Sequence, residues 1–315
     1  MTVQKTIQAK TNVNFIGMRW AMFCLSAIII LASFALLFQK GLNFGIDFTG
    51  GTLIEIRVDT PPDLTELRTS LNNLDLGALS IQEFGEPEDL LIRLPQQEGG
   101  SDAQQDAINT VRDYLDTTFE EEIDYRRVEY VGPQVGEELK KQGLYAILFS
   151  LGGILLYIAF RFEWKFGLAA IIALAHDAIA TIGLFSLTQM EFNLSTVAAL
   201  LMIAGYSIND TVVVFDRIRE NIRKFKSLSL QDILNGSINQ TLSRTLMTSF
   251  TTLLALIALW VFGGEVIRGF VNALLFGIVI GTYSSIFIAA PILLLLRLKQ
   301  RVFEGKDDQT AEDAA

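Results

Sequence analysis

The sequence predicts an α-helical polytopic membrane protein with six transmembrane helices and a small α+β domain inserted between the first and second. Three observations carry this. Half of the 315 residues are hydrophobic and the mean hydropathy is +0.38, too apolar for an ordinary soluble chain of this length. Six apolar runs reach the roughly 20 residues that a helix needs to cross the hydrocarbon core. Basic residues cluster at every second connection between those runs.

The runs are Phe15 to Phe38, Leu144 to Phe160, Phe166 to Leu187, Leu194 to Phe215, Leu246 to Phe262 and Val271 to Leu296. The first is too long for a signal-peptide core and is followed by no convincing small-residue cleavage site, so it reads as an uncleaved anchor. Lys5, Lys10 and Arg19 flank it, and Arg161 and Lys165 lie between the second and third runs. Arg217, Arg219, Arg223, Lys224 and Lys226 follow the fourth, and Arg297, Lys299 and Arg301 follow the sixth. By the positive-inside rule both termini are expected in the cytoplasm and the inserted domain outside it. Trp20, Trp164 and Trp260 fall near run ends, where interfacial aromatics belong. The organisation expected is a cytoplasmic tail (1–14), a first helix (15–38), an extracytoplasmic domain (39–142), a five-helix region (143–297) and a second tail (298–315).

Within the inserted segment, "TLIEIRV" alternates Ile54, Ile56 and Val58 against Glu55 and Arg57, as a half-buried strand does. "DLTELRTSLNNL" follows, with Asp63 and Glu66 at capping-box spacing and Leu64, Leu67, Leu71 and Leu74 on one helical face. Two short strands, "SIQEF" and "DLLIRL", are separated by Gly85 and Pro87. Ser101 and Gln104 have capping spacing before a helix carrying Ile108, Val111 and Leu115, and "DYRRVEYV" is a last strand. The resulting βαββαβ order is the ferredoxin-like pattern, which names a scaffold and no activity.

"GIDFTGGT" and "VGPQVGEELKKQG" bracket this domain. Their glycines permit positive φ and close backbone approach, which suits either a rigid elbow or a hinge at Gly45, Asp47, Gly50, Gly51, Gly132, Pro133 and Gly136. Other chemistry is excluded by composition. Cys24 is the only cysteine and His176 the only histidine, which leaves no intrachain disulfide and argues against a His/Cys metal centre. The net charge of −10 argues against nucleic acid, and no phosphate-cradling glycine loop is present, so no nucleotide or other cofactor is expected.

"GIDFTGG", "VGPQVGEEL" and "INDTVVVFDRIREN", in this order relative to six spans, resemble the SecF family, the smaller membrane subunits of the SecDF protein-export factors within the RND superfamily. The similarity runs from about Asn14 to Arg297, and the short outer domain is similar to SecF rather than SecD. The resemblance implies an RND-type half, coupled to protons, that works with SecD to promote late preprotein translocation through SecYEG. SecA and YajC are further implied partners, and a bacterial inner membrane, or a thylakoid, the implied location.

Asp210 and Asn209 sit inside the fourth run, and a charge at mid-bilayer costs about 2.5–3.5 kcal/mol on insertion scales. Arg244, at the start of the fifth run, is expected at similar depth. One reading is a packing ion pair with Asn209 bonded beside it. The other is a proton relay: burial favours the neutral acid, a guanidinium favours the carboxylate, and a change in helix arrangement selects between them. The family ties an aspartate of the fourth span and an arginine of the fifth to proton conduction, and Asp210 and Arg244 match those positions. His176, Asp177 and Thr248 extend the relay or serve in packing. Gly277 and Gly281 have small-xxx-small spacing and mark a helix contact. Two other classes fit less well: a proton-driven solute exporter, usually with two six-span halves in one chain, and an aspartyl protease dyad of Asp177 and Asp210, which would require the carboxyls to share a proton.

Overall fold

A computed structural model gives the fold of residue 7 and of residues 11–119 and 122–296; the basic positions Lys5, Lys10, Arg297, Lys299 and Arg301 and the second tail lie outside the described residues. Among these residues six helices are long and apolar enough to cross a membrane. The chain forms two compact units: Asn43–Ile147 with Glu191–Val197, and the remainder.

The first unit is a four-stranded antiparallel sheet with helices. Its order is α2 (Ile46–Thr49), β1 (Gly51–Arg57), α3 (Leu64–Asn72), β2 (Ser80–Phe84), β3 (Glu86–Leu94), α4 (Gly100–Thr118) and β4 (Asp124–Val131), with strands arranged β2-β3-β1-β4. Central β1 pairs Ile54 with Ile92 on one side and Val128 on the other. Ile54 and Ile56 join Leu67, Leu71, Ile108, Val111 and Leu115 in the main core. Asp63 caps α3 through the N–H groups of Thr65 (2.7 Å) and Glu66 (3.2 Å). Burial of β1 exceeds the half-buried expectation, because Leu53 packs with Ile46 and Leu91 on the other face. Glu55 is buried there too and is paired with Arg127 at 3.1 Å. Gln104 does not cap α4. It is buried, donates to Thr52 Oγ1 (2.9 Å) and accepts from Gln97 N (2.9 Å).

The second unit holds α1 (Arg19–Lys40), α6 (Trp164–Thr188), α8 (Leu230–Phe262), α9 (Arg268–Ser284) and α10 (Ala290–Leu295), with α5 (Pro133–Arg161) from Leu148 on and α7 (Leu194–Lys224) from Ala198 on. The apolar windows of α6, α7 and α9–α10 are at least half buried, whereas those of α1, α5 and α8 are mostly exposed, so three inner helices carry the core. Phe162, Phe166 and Phe215 cluster with centroids 5.1–6.0 Å apart among Ile218, Ile222, Ile233 and Leu293.

Several boundaries differ from expectation for local reasons. The first span starts at Arg19 rather than Phe15, because Asn14 Oδ1 accepts from Gly17 N (2.9 Å) in a turn that buries Phe15 and Ile16 in the core. The segment expected to link domain and second span is helical from Pro133, whose fixed φ and missing N–H suit the first helical position. Ser229, bonded to Asp232, starts α8 well before Leu246. The basic run after the fourth apolar stretch continues α7 as far as Lys224, with Ile218 and Ile222 buried. The sixth span is interrupted by a π-helical turn, Ser285–Ala289, just before Pro291, which lacks the N–H that a regular helix would use.

Candidate proton-relay site

The inner helices carry two separate buried carboxyl groups. Asp210 on α7 is 3% exposed, and its Oδ2 is buried without a hydrogen-bond partner among the described residues. The polar side chains that act on it are Arg244 and Thr248, one helical turn apart on α8. Arg244 acts through space, because it forms no ion pair of 4.0 Å or less among the described residues. Arg244 is itself exposed in this chain, amid the exposed apolar Leu246, Met247 and Phe250. Asn209 is exposed rather than bonded beside Asp210. The Thr248 hydroxyl also donates to Thr245 O at 2.9 Å.

Asp177 on α6 is 1% exposed and fully engaged. Its Oδ2 accepts from Ser207 Oγ on α7 (2.6 Å) and Ser284 Oγ at the end of α9 (2.8 Å), while Oδ1 lies 3.1 Å from His176 Nδ1. No hydrogen bond joins it to Asp210 among the described residues, so the geometry gives no shared-proton dyad. His176 Nε2 is buried without a hydrogen-bond partner among the described residues, and the ring lies 6.0 Å from that of Tyr283. One turn along, Thr211 Oγ1 meets Ser285 Oγ (2.9 Å), and Ser249 on α8 bonds both Tyr206 (3.3 Å) and Thr282 (2.7 Å). Among the Ser and Thr residues that give α8 its polar stripe, Thr241, Ser249, Thr251 and Thr252 also return a bond to the preceding turn of the helix.

Close helix approach makes this network possible. A Cβ at Gly277 would lie 2.2 Å from Ile203 Cδ1, and one at Gly281 3.1 Å from Ser207 Cβ. Gly277 and Gly281 of α9 thus face α7, within the chain. Sequence reasoning missed Ser207, Ser284, Ser285 and Tyr206. The available signal was spacing: Ser207 lies three residues before Asp210, and Ser284 three after Gly281.

The segments expected as hinges are closely packed in the sheet unit. Gly51 holds φ +107°, where a Cβ would lie 2.5 Å from Leu94 O. Asp47 Oδ2 accepts from Leu194 N (2.8 Å), and Gly50 also takes a positive φ of +72°. Gly136 packs against the backbone of residues 47–50, while Pro133 begins α5 and Gly132, just before it, accepts from Gly136 N (3.0 Å).

Comparison with known proteins places this geometry in a family. A family model described as protein export membrane protein SecD/SecF, C-terminal, matches residues 110–299, and one described as the SecD/SecF GG motif matches residues 35–62. A protein translocase subunit SecF of Rickettsia bellii is 47% identical over 291 residues, covering 92% of this chain and 95% of its own length. One from Magnetococcus marinus is 52% identical over 287 residues, covering 91% and 92%. The crystal structure of SecDF from Thermus thermophilus matches with TM-score 0.83 and 39% identity over 92% of this chain. This chain spans 39% of that longer polypeptide. Six spans, a βαββαβ unit and 47–52% identity to SecF subunits over nearly the whole chain agree: the chain belongs to the SecD/SecF family of protein-export membrane proteins, among its SecF members.

Proposed function

We propose that this chain is the proton-coupled SecF half of an export device that acts with a SecD partner to promote late preprotein translocation through SecYEG. The observation that carries the coupling is Asp210: a buried carboxyl with one unpartnered oxygen, near a guanidinium that is not in contact with it. A packing ion pair would close that gap. An open pair leaves the carboxyl free to take up and release a proton as α7 and α8 shift, and moving one proton across 100 mV supplies about 2.3 kcal/mol.

The exposure of Arg244 supports a second six-span subunit. An arginine on the apolar face of a membrane helix is costly unless protein or a wet cavity covers it, and SecD provides such cover in this reading. The βαββαβ unit, with strand order β2-β3-β1-β4, serves as a ferredoxin-like extracytoplasmic domain, with both termini in the cytoplasm of a bacterial inner membrane. SecA and YajC belong to the same assembly in this reading. The chain performs no covalent chemistry of its own; protons are the coupling species.

The test is gradient-dependent completion of preprotein translocation in inverted membrane vesicles, comparing wild type with Asp210→Asn at equal membrane abundance. Loss of the gradient-dependent component with assembly intact is expected. Unchanged translocation would return Asp210 and Arg244 to a packing role.

A further inference from the structure

The short segment between the third and fourth spans, Glu191–Val197, belongs to the sheet unit rather than to the helical one. Its residues from Leu194 on are also the head of α7, the helix that carries Asp210. Four kinds of contact fasten it. Phe192 N donates to Asn43 O (2.8 Å) and Gly45 N to Phe192 O (2.9 Å), a short parallel backbone bridge. The rings of Phe44, Phe48 and Phe192 lie 5.9–6.0 Å apart. Asp47 Oδ2 accepts from Leu194 N at the first residue of α7, where a carboxylate also complements the positive helix end. Arg93 on β3 pairs with Glu191 at 2.8 Å, the side chains only 14% and 19% exposed, and Arg93 also donates to Asn43 Oδ1 (2.9 Å).

Gly45 shows how tight the junction is: a Cβ there would fall 2.3 Å from Glu191 Oε1. A glycine-rich stretch that packs this closely does not act as a loose linker. The flexibility suggested by its composition is taken up by close approach.

We propose that Arg93, Glu191 and Asp47 form a mechanical junction that transmits displacement of α7 to the sheet unit. It rests on the proton-driven reading above. An unbroken helix runs from Leu194 to Asp210, roughly 24 Å at 1.5 Å per residue, so an axial shift at the carboxyl reaches Leu194 nearly undiminished. At Leu194 the shift meets groups fixed to β3 and α2. These are positioning residues that touch no proton and no preprotein.

The experiment measures two quantities on the full complex with its SecD partner. One is gradient-dependent translocation in inverted vesicles. The other is proton entry into proteoliposomes, followed by a pH-sensitive dye. Glu191→Arg is expected to lower gradient-dependent translocation ~5-fold or more, the lower end of typical coupling strengths, while proton entry persists. Glu191→Gln, which preserves shape, is expected to give a smaller loss of the same kind. The swap Arg93→Glu with Glu191→Arg is expected to restore translocation, which neither a folding defect nor a damaged relay would show. Unchanged translocation in Glu191→Arg at equal abundance would overturn the junction and leave the relay standing. Loss of both readouts without recovery in the swap would also overturn it. Failure of Asp210→Asn to affect either quantity would instead remove the relay, and the junction with it.

Discussion

The close approach of α9 to α7 is set by Gly277, and a double substitution measures it. In Gly277→Ala the new Cβ would lie 2.2 Å from Ile203 Cδ1, 2.3 Å from Cγ1 and 3.0 Å from Cγ2. Ile203 is 2% exposed and β-branched, so rotation about χ1 exchanges one clash for another and the helices must separate. Overpacking of this kind costs about 1–3 kcal/mol. Ile203→Ala alone leaves a void and costs about 2–5 kcal/mol by analogy with soluble cores. In the double variant the added methyl occupies part of the space the isoleucine vacates, so its cost should fall short of the sum by about 0.5–3 kcal/mol. The assay is thermal unfolding of the purified complex in detergent for wild type, both single variants and the double. Additivity within about 0.5 kcal/mol would refute the direct contact and with it the account of how α7 is held.

Two further outcomes follow from other positions. Asp177→Asn retains an oxygen to accept from Ser207 and Ser284, so it should cost at most about 1 kcal/mol and leave the pH profile of translocation unshifted, whereas Asp177→Leu strands both hydroxyls and should cost more; equal damage from both in thermal unfolding would contradict the packing assignment. In the sheet unit, hydrogen bonds from the backbone N–H of Glu66 and then Thr65 hold the Asp63 carboxyl below its ordinary range. A carboxyl depressed on folding contributes stability that is present above its unfolded value and is lost as pH falls through its folded one. Protection of α3 amides against hydrogen exchange should therefore decline on acidification below about pH 4 in wild type and lack that decline in Asp63→Asn; identical profiles would contradict the cap.

Much of the fold was legible in the chain because its strongest signals are one-dimensional. Apolar run length and the period-2 pattern of Ile54, Ile56 and Val58 need no knowledge of partners. Asp63 announced the start of α3 because a cap bonds to its own neighbours. Helix ends were less legible. In "VGPQVGEELKKQG" the glycines suit a linker and Pro133 suits a first turn, so the local signals conflict, and α5 extends through it. Gln104 had the spacing of a cap residue, yet its amide was taken by Thr52, a partner 52 residues away.

For the site, the sequence by itself determined that a carboxylate lies inside one apolar run and an arginine at the start of the next, since a charge in such surroundings is conspicuous wherever it falls. Only the tertiary structure decided which polar groups meet. Among the described residues it engages Asp177 with Ser207 and Ser284, leaves an oxygen of Asp210 unpartnered, and leaves Arg244 exposed. It also fastens the head of α7 to Asp47, and Arg93 to Glu191. The physical reason is that hydrogen bonds and ion pairs act over a few ångströms in space. Periodicity fixes the face of a helix on which a residue lies, and only packing fixes what that face meets.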